Sequence, residues 1–226
     1  MSSTAHALPP PLHDGDRLTR DEFLRRWDAM PALKRAELIN GVVCMPSPIS
    51  TAHGDHHSLL DYWMGHYVSF TDGCAVGTAS TWLMGPENAP QPDLSLRIES
   101  GYGGQSFHEG AYSAGAPELI AEITNTTVTQ DLVEKLRLYE RSGVREYLTI
   151  RPRLRQITWR ELHRRKFREL APGDNGWFRS RVFPGLWLDP AALWTVNRRA
   201  LAAAVQLGAA QPAHAAFVRH LAAHRK

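Results

Sequence analysis

The sequence is poor in cysteine and has no long hydrophobic run. Only Cys44 and Cys74 occur among its 226 residues. Two cysteines alone provide neither a disulfide framework nor a zinc site, so we expect buried thiols in a reducing, cytoplasmic compartment. No apolar run approaches the ~20 residues that span a bilayer, and the polar, proline-rich start lacks the apolar segment of a secretory signal. These absences argue against a disulfide-rich secreted scaffold and predict no membrane association.

The chain also lacks an internal repeat and a phosphate-binding glycine loop. The stretch GYGGQSFHEGAYSAG has neither phosphate-loop spacing nor a following helix, so we read it as a loop without a nucleotide role. Hydrophobic residues make up 43% and charged residues 22%, which fits one globular domain with extensions. We predict a disordered leader at residues 1–16, a domain over residues 17–195, and a helical C-terminal extension over residues 196–226.

Local patterns predict a mixed α/β fold. Thr19 and Glu22 form a capping-box pattern that begins a helix. Asn40 and Gly41 stand between two apolar runs and predict a tight hairpin. Residues 117–150 read as strand, helix and strand, with the two strands parallel if they share a sheet.

Two further features complete the outline of the fold. The segments CAVGTASTWLM and QPDLSLRI are candidate strands, and we expect them to pair with each other. The alanine-rich tail predicts one or two helices that serve in packing or in forming a homodimer.

Three charged residues occupy positions where a core would prefer none. Asp93 follows Pro92 at the start of an apolar strand, and Glu122 lies inside the run Leu-Ile-Ala-Glu-Ile. Lys135 borders the apolar stripe of the next helix. If the two strands are neighbours, the carboxylates converge at one sheet edge, where two like charges need a cation. Magnesium takes hard oxygen ligands, and the carbonyl of Ile123 could complete its shell.

Each of these residues also has a simpler interpretation when taken alone. Asp93 could be a turn residue at a strand end, and Lys135 could form an i,i+4 ion pair with Asp131 on a solvated face. Glu122 is harder to explain in this way, because a buried glutamate needs a partner. The three residues together favour a site more than any one of them does.

Four segments carry a resemblance to a known family. They are AELINGVVCMPSPISTAH, PQPDLSLRI, GAPELIAEITNTTVTQDLVEKLRLYERSGVREYL and SRVFPGLWLDPAAL. In order and spacing they resemble the Uma-two-type restriction endonucleases, which belong to the PD-(D/E)XK nuclease superfamily. The similarity runs from about Leu18 to Leu193.

The resemblance implies a restriction-endonuclease-like core, a mixed central sheet flanked by helices, that cleaves DNA with Mg²⁺ or Mn²⁺. Asp93 matches the family's PD aspartate and Glu122 its second acid, so these two, with Ile123, are the implied metal ligands. The superfamily's lysine usually stands two residues after the second acid, where this chain has Thr124. In this family the lysine comes from the following helix, at the position of Lys135, which would orient the attacking water or stabilise charge on the phosphate.

The resemblance implies further site residues as well. Glu37 matches an N-terminal family glutamate, His53 matches a histidine of uncertain role, and Thr124 stands where relatives carry serines. The i,i+4 spacing of His53 and His57, with His56 beside them, also suggests zinc. No glutamate accompanies these histidines as in zinc proteases, so solvated or helix-capping histidines are the competing interpretation.

Positive charge is concentrated in residues 151–168, which contain eight arginines or lysines and one acid. The whole chain has a net charge of +3. This segment could bind phosphates, with two aromatic residues close by in sequence, or could be a solvated hairpin face. The residues predicted to contact nucleic acid are Arg160, Arg164, Arg165 and Lys166.

The leading hypothesis is therefore a metal-dependent endonuclease acting on DNA, with RNA left open. Two alternatives belong to other classes. One is a catalytically inactive DNA-binding or regulatory protein on the same fold, and the other is a structural dimerisation module. The combination of Asp93, Glu122 and Lys135 favours the enzyme.

Overall fold

The structure is a computed structural model that describes residues 8–45, 48–124 and 129–225, with the backbone alone for residues 129–132. Its helices are α1 (Arg20–Asp28), α2 (Thr51–Val68), α3 (Thr129–Ser142), α4 (Pro190–Trp194), α5 (Arg198–Ala209) and α6 (Pro212–Ala223). Its strands are β1 (Glu37–Ile39), β2 (Val42–Cys44), β3 (Cys74–Thr78), β4 (Trp82–Leu83), β5 (Leu94–Ile98), β6 (Phe107–Glu109), β7 (Tyr112–Ala114), β8 (Leu119–Ile123), β9 (Glu146–Arg151), β10 (Gln156–His163), β11 (Lys166–Glu169), β12 (Phe178–Arg179) and β13 (Trp187–Leu188).

A mixed sheet of six strands forms the centre, in the order β11-β10-β9-β8-β5-β3. Strands β8 and β9 are parallel and are joined by α3, which confirms the predicted strand–helix–strand unit. The other neighbours are antiparallel, including the predicted pair β3 and β5. With helices packed on this sheet, the predicted α/β fold class is confirmed.

Local sequence signals account for several of these elements. The hairpin of β1 and β2 turns at Asn40 and Gly41, whose φ angles of 52° and 74° require residues that tolerate the left-handed region. Helix α1 begins after Thr19, whose hydroxyl accepts a hydrogen bond from the main-chain N–H of Glu22. The glycine-rich segment predicted as a loop instead contains the hairpin of β6 and β7, which pairs with β4.

Helix α2 covers one face of the sheet and supplies much of the core. Trp63 is fully buried and meets Trp159 of β10 edge to face, with ring centroids 5.9 Å apart. The alanine-rich tail completes this core, because Leu201 and Val205 of α5 join the same cluster. Gly208 is required there, since a Cβ atom at that position would overlap the carbonyl oxygen of Gly185.

The start of the chain differs in part from the predicted disordered leader. The side chain of Leu12 is buried in the cluster beneath the β1–β2 hairpin. The Asp14 carboxylate accepts a hydrogen bond from the N–H of Met45, and the N–H of Gly15 donates to the carbonyl of Val43. Residues 8–16 therefore pack on the hairpin because one leucine and a few polar contacts anchor them, and residues 1–7 lie outside the described residues.

Within the described part of the chain, none of the helices has the length and apolar character needed to cross a membrane.

Candidate active site

The two acidic residues among the predicted metal ligands, Asp93 and Glu122, meet at one end of the central sheet. Leu94 of β5 pairs with Ala121 of β8, so continuing this antiparallel register puts Asp93 opposite Glu122. Side chains directly opposite each other project to the same face. Both carboxylates are buried, with 5% and 7% of their surface exposed. The N–H of Ile123 donates to Oδ2 of Asp93 at 2.8 Å, which links the two acids through the backbone.

Lys135 reaches this pair from α3. Its ammonium nitrogen lies 3.1 Å from Oε1 of Glu122 and 2.9 Å from Oε1 of Glu37. The lysine side chain is only 15% exposed. The side chain of Asp131, the partner in the competing interpretation, lies outside the described side chains. Lys135 thus faces the acids at the sheet edge.

Glu37 acts as an anchor between elements. The side chain of Glu37 comes from β1. Its Oε1 atom forms the ion pair with Lys135 and also accepts a hydrogen bond of 2.7 Å from the main-chain N–H of Gln91. Gln91 stands two residues before Asp93 and is itself held by a hydrogen bond from its amide to Thr81. The hairpin that carries Glu37 therefore fixes both the lysine and the segment leading into Asp93.

Tyr139 is a site residue that sequence reasoning missed. Its hydroxyl donates to Oε1 of Glu122 at 2.9 Å, the same oxygen that Lys135 contacts. Tyr139 is fully buried, as expected of an aromatic residue on the apolar face of α3. The available signal was its i+4 spacing from Lys135, which puts both side chains on one helix face.

Two histidines of α2 hold Asp93 from the other side. Nε2 of His53 lies 3.1 Å from Oδ1 of Asp93, and Nε2 of His57 lies 2.9 Å from the Asp93 carbonyl oxygen. His56 instead contacts the carbonyl of Ala52 and lies beside the ring of Trp194, tilted by 48° with the ring centroids 6.3 Å apart. Among the described residues, no group of three or more His, Cys, Asp or Glu side chains could hold a metal ion, so the zinc interpretation has no structural support.

Arg35, another residue that the sequence reasoning did not single out, lies at the rim. One of its terminal nitrogens is 4.0 Å from Oδ1 of Asp93, and its side chain is 29% exposed. Thr124, predicted as a possible site residue, directly follows β8, and its N–H donates to the carbonyl of Ile150 at 2.9 Å.

The electrostatics of the site are dominated by burial. Burial raises the pKa of Glu122, and the positive charge of Lys135 lowers it. The negative charges of Asp93 and Glu37 raise it further, so the pKa of Glu122 lies above its usual range. Burial alone would lower the pKa of Lys135, but the charges of Glu122 and Glu37 raise it, so the lysine stays charged.

Asp93 behaves differently from Glu122. Burial acts to raise its pKa, but the hydrogen bond and charge of His53, the N–H of Ile123 and the charge of Lys135 together hold its pKa below the usual range. The three buried carboxylates of Glu37, Asp93 and Glu122 face the ammonium of Lys135 and, at the rim 4.0 Å from Asp93, the guanidinium of Arg35, so negative charge remains in excess. This surplus of negative charge and the hard oxygen donors of Asp93 and Glu122 fit a divalent cation such as Mg²⁺.

The residues predicted to contact nucleic acid lie elsewhere. Arg160 forms an ion pair with Glu169, and Lys166 forms one with Glu140 of α3. Arg164 and Arg165 form the exposed turn between β10 and β11. Thr149 of β9 pairs with Glu122 of β8 on one side and with Thr158 of β10 on the other, so Thr158 and Glu122 lie at the same level of the sheet. The turn begins six residues after Thr158, which is about 20 Å along the strand. This turn therefore sits at the opposite end of the sheet from the acids.

Comparison with known proteins assigns the chain to a family. A family model named Uma2, described as "Putative restriction endonuclease", matches residues 20–191. The chain belongs to this family. The resemblance seen in the sequence is thereby confirmed, and membership supports a nuclease that acts on nucleic acid. No curated protein matches the chain.

The fold has a solved counterpart. The chain is similar to the crystal structure of a "putative nuclease belonging to DUF820" from Anabaena variabilis ATCC 29413, with a TM-score of 0.64 and 17% sequence identity. The similarity covers 79% of this chain and 98% of that one. At this identity the likeness establishes the fold, and it agrees with the restriction-endonuclease-like core that the sequence predicted.

Proposed function

We propose that this Uma2-family protein is an Mg²⁺-dependent endonuclease that hydrolyses phosphodiester bonds of DNA at the Asp93–Glu122–Lys135 site. The observation that carries the proposal is the position of the largely buried Lys135 ammonium, 3.1 Å from the Glu122 carboxylate. Glu122 in turn lies opposite the second buried carboxylate, that of Asp93. A structural dimerisation module has no need for this arrangement, since burying unbalanced charge costs stability.

Asp93 and Glu122 would hold the metal ion, with the Ile123 carbonyl as a third oxygen ligand. Magnesium commonly binds through one or two carboxylates, with water and substrate phosphate filling its shell, so a site without a third acidic ligand is compatible with it. When bound, the ion supplies a Lewis acid that polarises the scissile phosphate and lowers the pKa of the attacking water. Mn²⁺ would bind the same oxygen ligands.

Lys135 would orient the attacking water or donate to a phosphate oxygen as negative charge develops on it. A donor that is already in place and largely desolvated is effective for this purpose, because no reorganisation is needed during the reaction. Glu37 keeps the ammonium in position, and Tyr139 holds the Glu122 carboxylate from the same helix. His53 similarly fixes the orientation of Asp93.

A plasmid-nicking assay tests the proposal. Purified wild-type protein should convert supercoiled DNA to nicked or linear DNA with Mg²⁺ or Mn²⁺ and should stop when EDTA is added. Asp93→Asn keeps the shape of the side chain but removes its charge, so it should reduce the rate about a thousandfold or more. Cleavage that persists in Asp93→Asn would show that the activity arises elsewhere or from a contaminant.

The non-catalytic alternative is separated by measuring metal binding. Calorimetric titration with Mn²⁺ should show binding to the wild type and loss of binding in Glu122→Gln. A wild type that binds DNA but neither binds Mn²⁺ nor cleaves would instead support a regulatory DNA-binding protein on a nuclease fold.

A further inference from the structure

The basic segment of residues 151–168 is divided between the two ends of the central sheet. Strand β9 runs parallel to β8, and Ile150 of β9 pairs with Ile123 of β8. Arg151, the next residue, therefore emerges at the end of the sheet where Glu122 lies. The turn of Arg164 and Arg165 emerges at the other end.

Residues 151–155 connect β9 to β10 at this end, with the sequence Arg-Pro-Arg-Leu-Arg, and we call them the arginine turn. Residues 152–154 form a short 3-10 helix. Arg153 and Arg155 are exposed, and Leu154 between them is 59% exposed. Three arginines and a solvent-facing leucine are thus presented together.

The arginine turn carries three positive charges. Among the described residues, none of its three arginines forms an ion pair within 4.0 Å. Arg160 and Lys166, by contrast, are paired with glutamates. Free guanidinium groups can donate paired hydrogen bonds to the oxygens of a phosphate, which is the geometry that arginine favours.

The position of the arginine turn links it to the candidate active site. Arg151 lies two residues beyond the level of Glu122 on the adjacent strand, or about 7 Å along the sheet. The turn also contacts α2, the helix from which His53 reaches Asp93. A nucleic acid backbone that places one phosphate at the acids would bring neighbouring phosphates near these arginines.

We propose that the arginine turn is the docking surface for the DNA backbone beside the scissile phosphate, an inference that rests on the proposed nuclease function. Arg151, Arg153 and Arg155 contact phosphates next to the one being cut, and Leu154 contacts the sugars or base edges between them. Leucine is one of the apolar side chains that minor-groove-binding proteins insert between base steps. Each phosphate contact releases counterions, so this surface sets much of the salt dependence of binding.

Two matched double variants test the surface, both made in full-length protein carrying Asp93→Asn so that DNA stays intact. Arg153→Gln/Arg155→Gln removes two charges at the arginine turn, and Arg164→Gln/Arg165→Gln removes two at the far turn. Arg155, Arg164 and Arg165 have left-handed backbone angles, and glutamine at these positions is no more strained than arginine. Anisotropy with a labelled duplex should show at least about tenfold weaker binding and a salt slope lower by about 2 for the first pair. The second pair should change affinity less than about twofold.

Other outcomes would overturn the inference in distinguishable ways. Equal weakening by both pairs would show that the arginine turn has no special role while leaving the nuclease proposal intact. Competition by polyglutamate as effective as that by duplex DNA would point to an acidic protein as the ligand. If the wild-type protein, with Asp93 intact, neither bound nor nicked DNA, both the nuclease proposal and this inference would be wrong.

Discussion

Strand β8 carries a buried glutamate near each end, and the two have different surroundings. Glu118, just before the strand, is fully buried and accepts hydrogen bonds from the main-chain N–H groups of Ile98 and Gln105, at 2.8 and 3.2 Å. Glu122, at the other end, is contacted by the side chains of Lys135 and Tyr139. Burial raises the pKa of both carboxyl groups.

The difference separates a structural carboxylate, that of Glu118, from the carboxylate of Glu122, which we propose to be part of the active site. Main-chain N–H groups are fixed by the fold, so Glu118 ties the end of β5 to the loop that follows it and has no freedom to serve a substrate. Glu122 is held by side chains, stands opposite Asp93, and belongs to a group with surplus negative charge. A cation can relieve that surplus, which no feature of the Glu118 environment requires.

The most demanding test of this comparison replaces each glutamate by glutamine. Glu122→Gln should reduce metal-dependent DNA cleavage about a thousandfold or more, because it removes the charge of a proposed metal ligand. Glu118→Gln should leave cleavage at low temperature near the wild-type rate while lowering the free energy of unfolding by about 1–3 kcal/mol, since one main-chain donor loses its acceptor. Nicking assays and urea denaturation of both variants measure the two effects. If the two variants lost the same activity at the same folded fraction, Glu118 and Glu122 would not differ in their contribution to cleavage.

A third buried glutamate extends the comparison to pH. Glu146 accepts hydrogen bonds from the Ser180 hydroxyl and from the N–H groups of Arg181 and Val182, so it is of the structural kind. Burial raises its pKa from the usual 4.5 to about 7, despite those hydrogen bonds. The folded state thus binds this proton more tightly than the unfolded state, so the stabilisation is complete below pH 4.5 and is lost as the pH rises through about 7.

The expected change in the free energy of unfolding from Glu146 is on the order of 3 kcal/mol over this window. Glu146→Gln should reduce the slope of the curve between pH 5 and 8, as measured by chemical denaturation, and Glu118 and Glu122, whose pKa values burial also raises, should leave a remaining slope of the same sign. Parallel curves for the wild type and Glu146→Gln would show that this carboxyl group does not titrate as described.

The smallest expected effect concerns the side chains that hold Glu122. Tyr139→Phe removes one hydrogen bond to its carboxylate without changing the packed ring, so stability should fall by only about 1 kcal/mol. The cleavage rate should fall about tenfold, and part of the loss should be recovered at higher Mn²⁺ concentration if the phenol positions a metal ligand. A variant with unchanged rate and unchanged Mn²⁺ dependence would make Tyr139 a packing residue only.

Several features could be predicted from the sequence because they depend on neighbours along the chain. Asn40 and Gly41 are well suited to the left-handed turn of the first hairpin, and the run around Glu122 with the following amphipathic helix predicted the unit of β8, α3 and β9. The glycine-rich segment failed as a prediction because its hairpin is completed by pairing with β4, a strand more than twenty residues earlier.

The partners of the site residues could not be predicted in the same way. Nothing near Lys135 in the sequence indicates Glu37, which comes from a hairpin almost a hundred residues earlier. The contact of His57 with the Asp93 carbonyl and the proximity of Arg35 likewise depend on how α2 and the hairpin pack on the sheet. Such contacts depend on long-range register, which hydrophobic periodicity does not encode.

By itself the sequence determined the acidic pair, the lysine on the following helix and the family to which the chain belongs, because these lie in short segments whose spacing is fixed by covalent connection. Only the tertiary structure decided which of the charges meet. The strand order β11-β10-β9-β8-β5-β3 brings Asp93 opposite Glu122 and sends the two halves of one basic segment to opposite ends of the sheet. Successive antiparallel strands reverse direction, so Arg151 and Arg164, thirteen residues apart in the chain, emerge about 26 Å apart along the sheet.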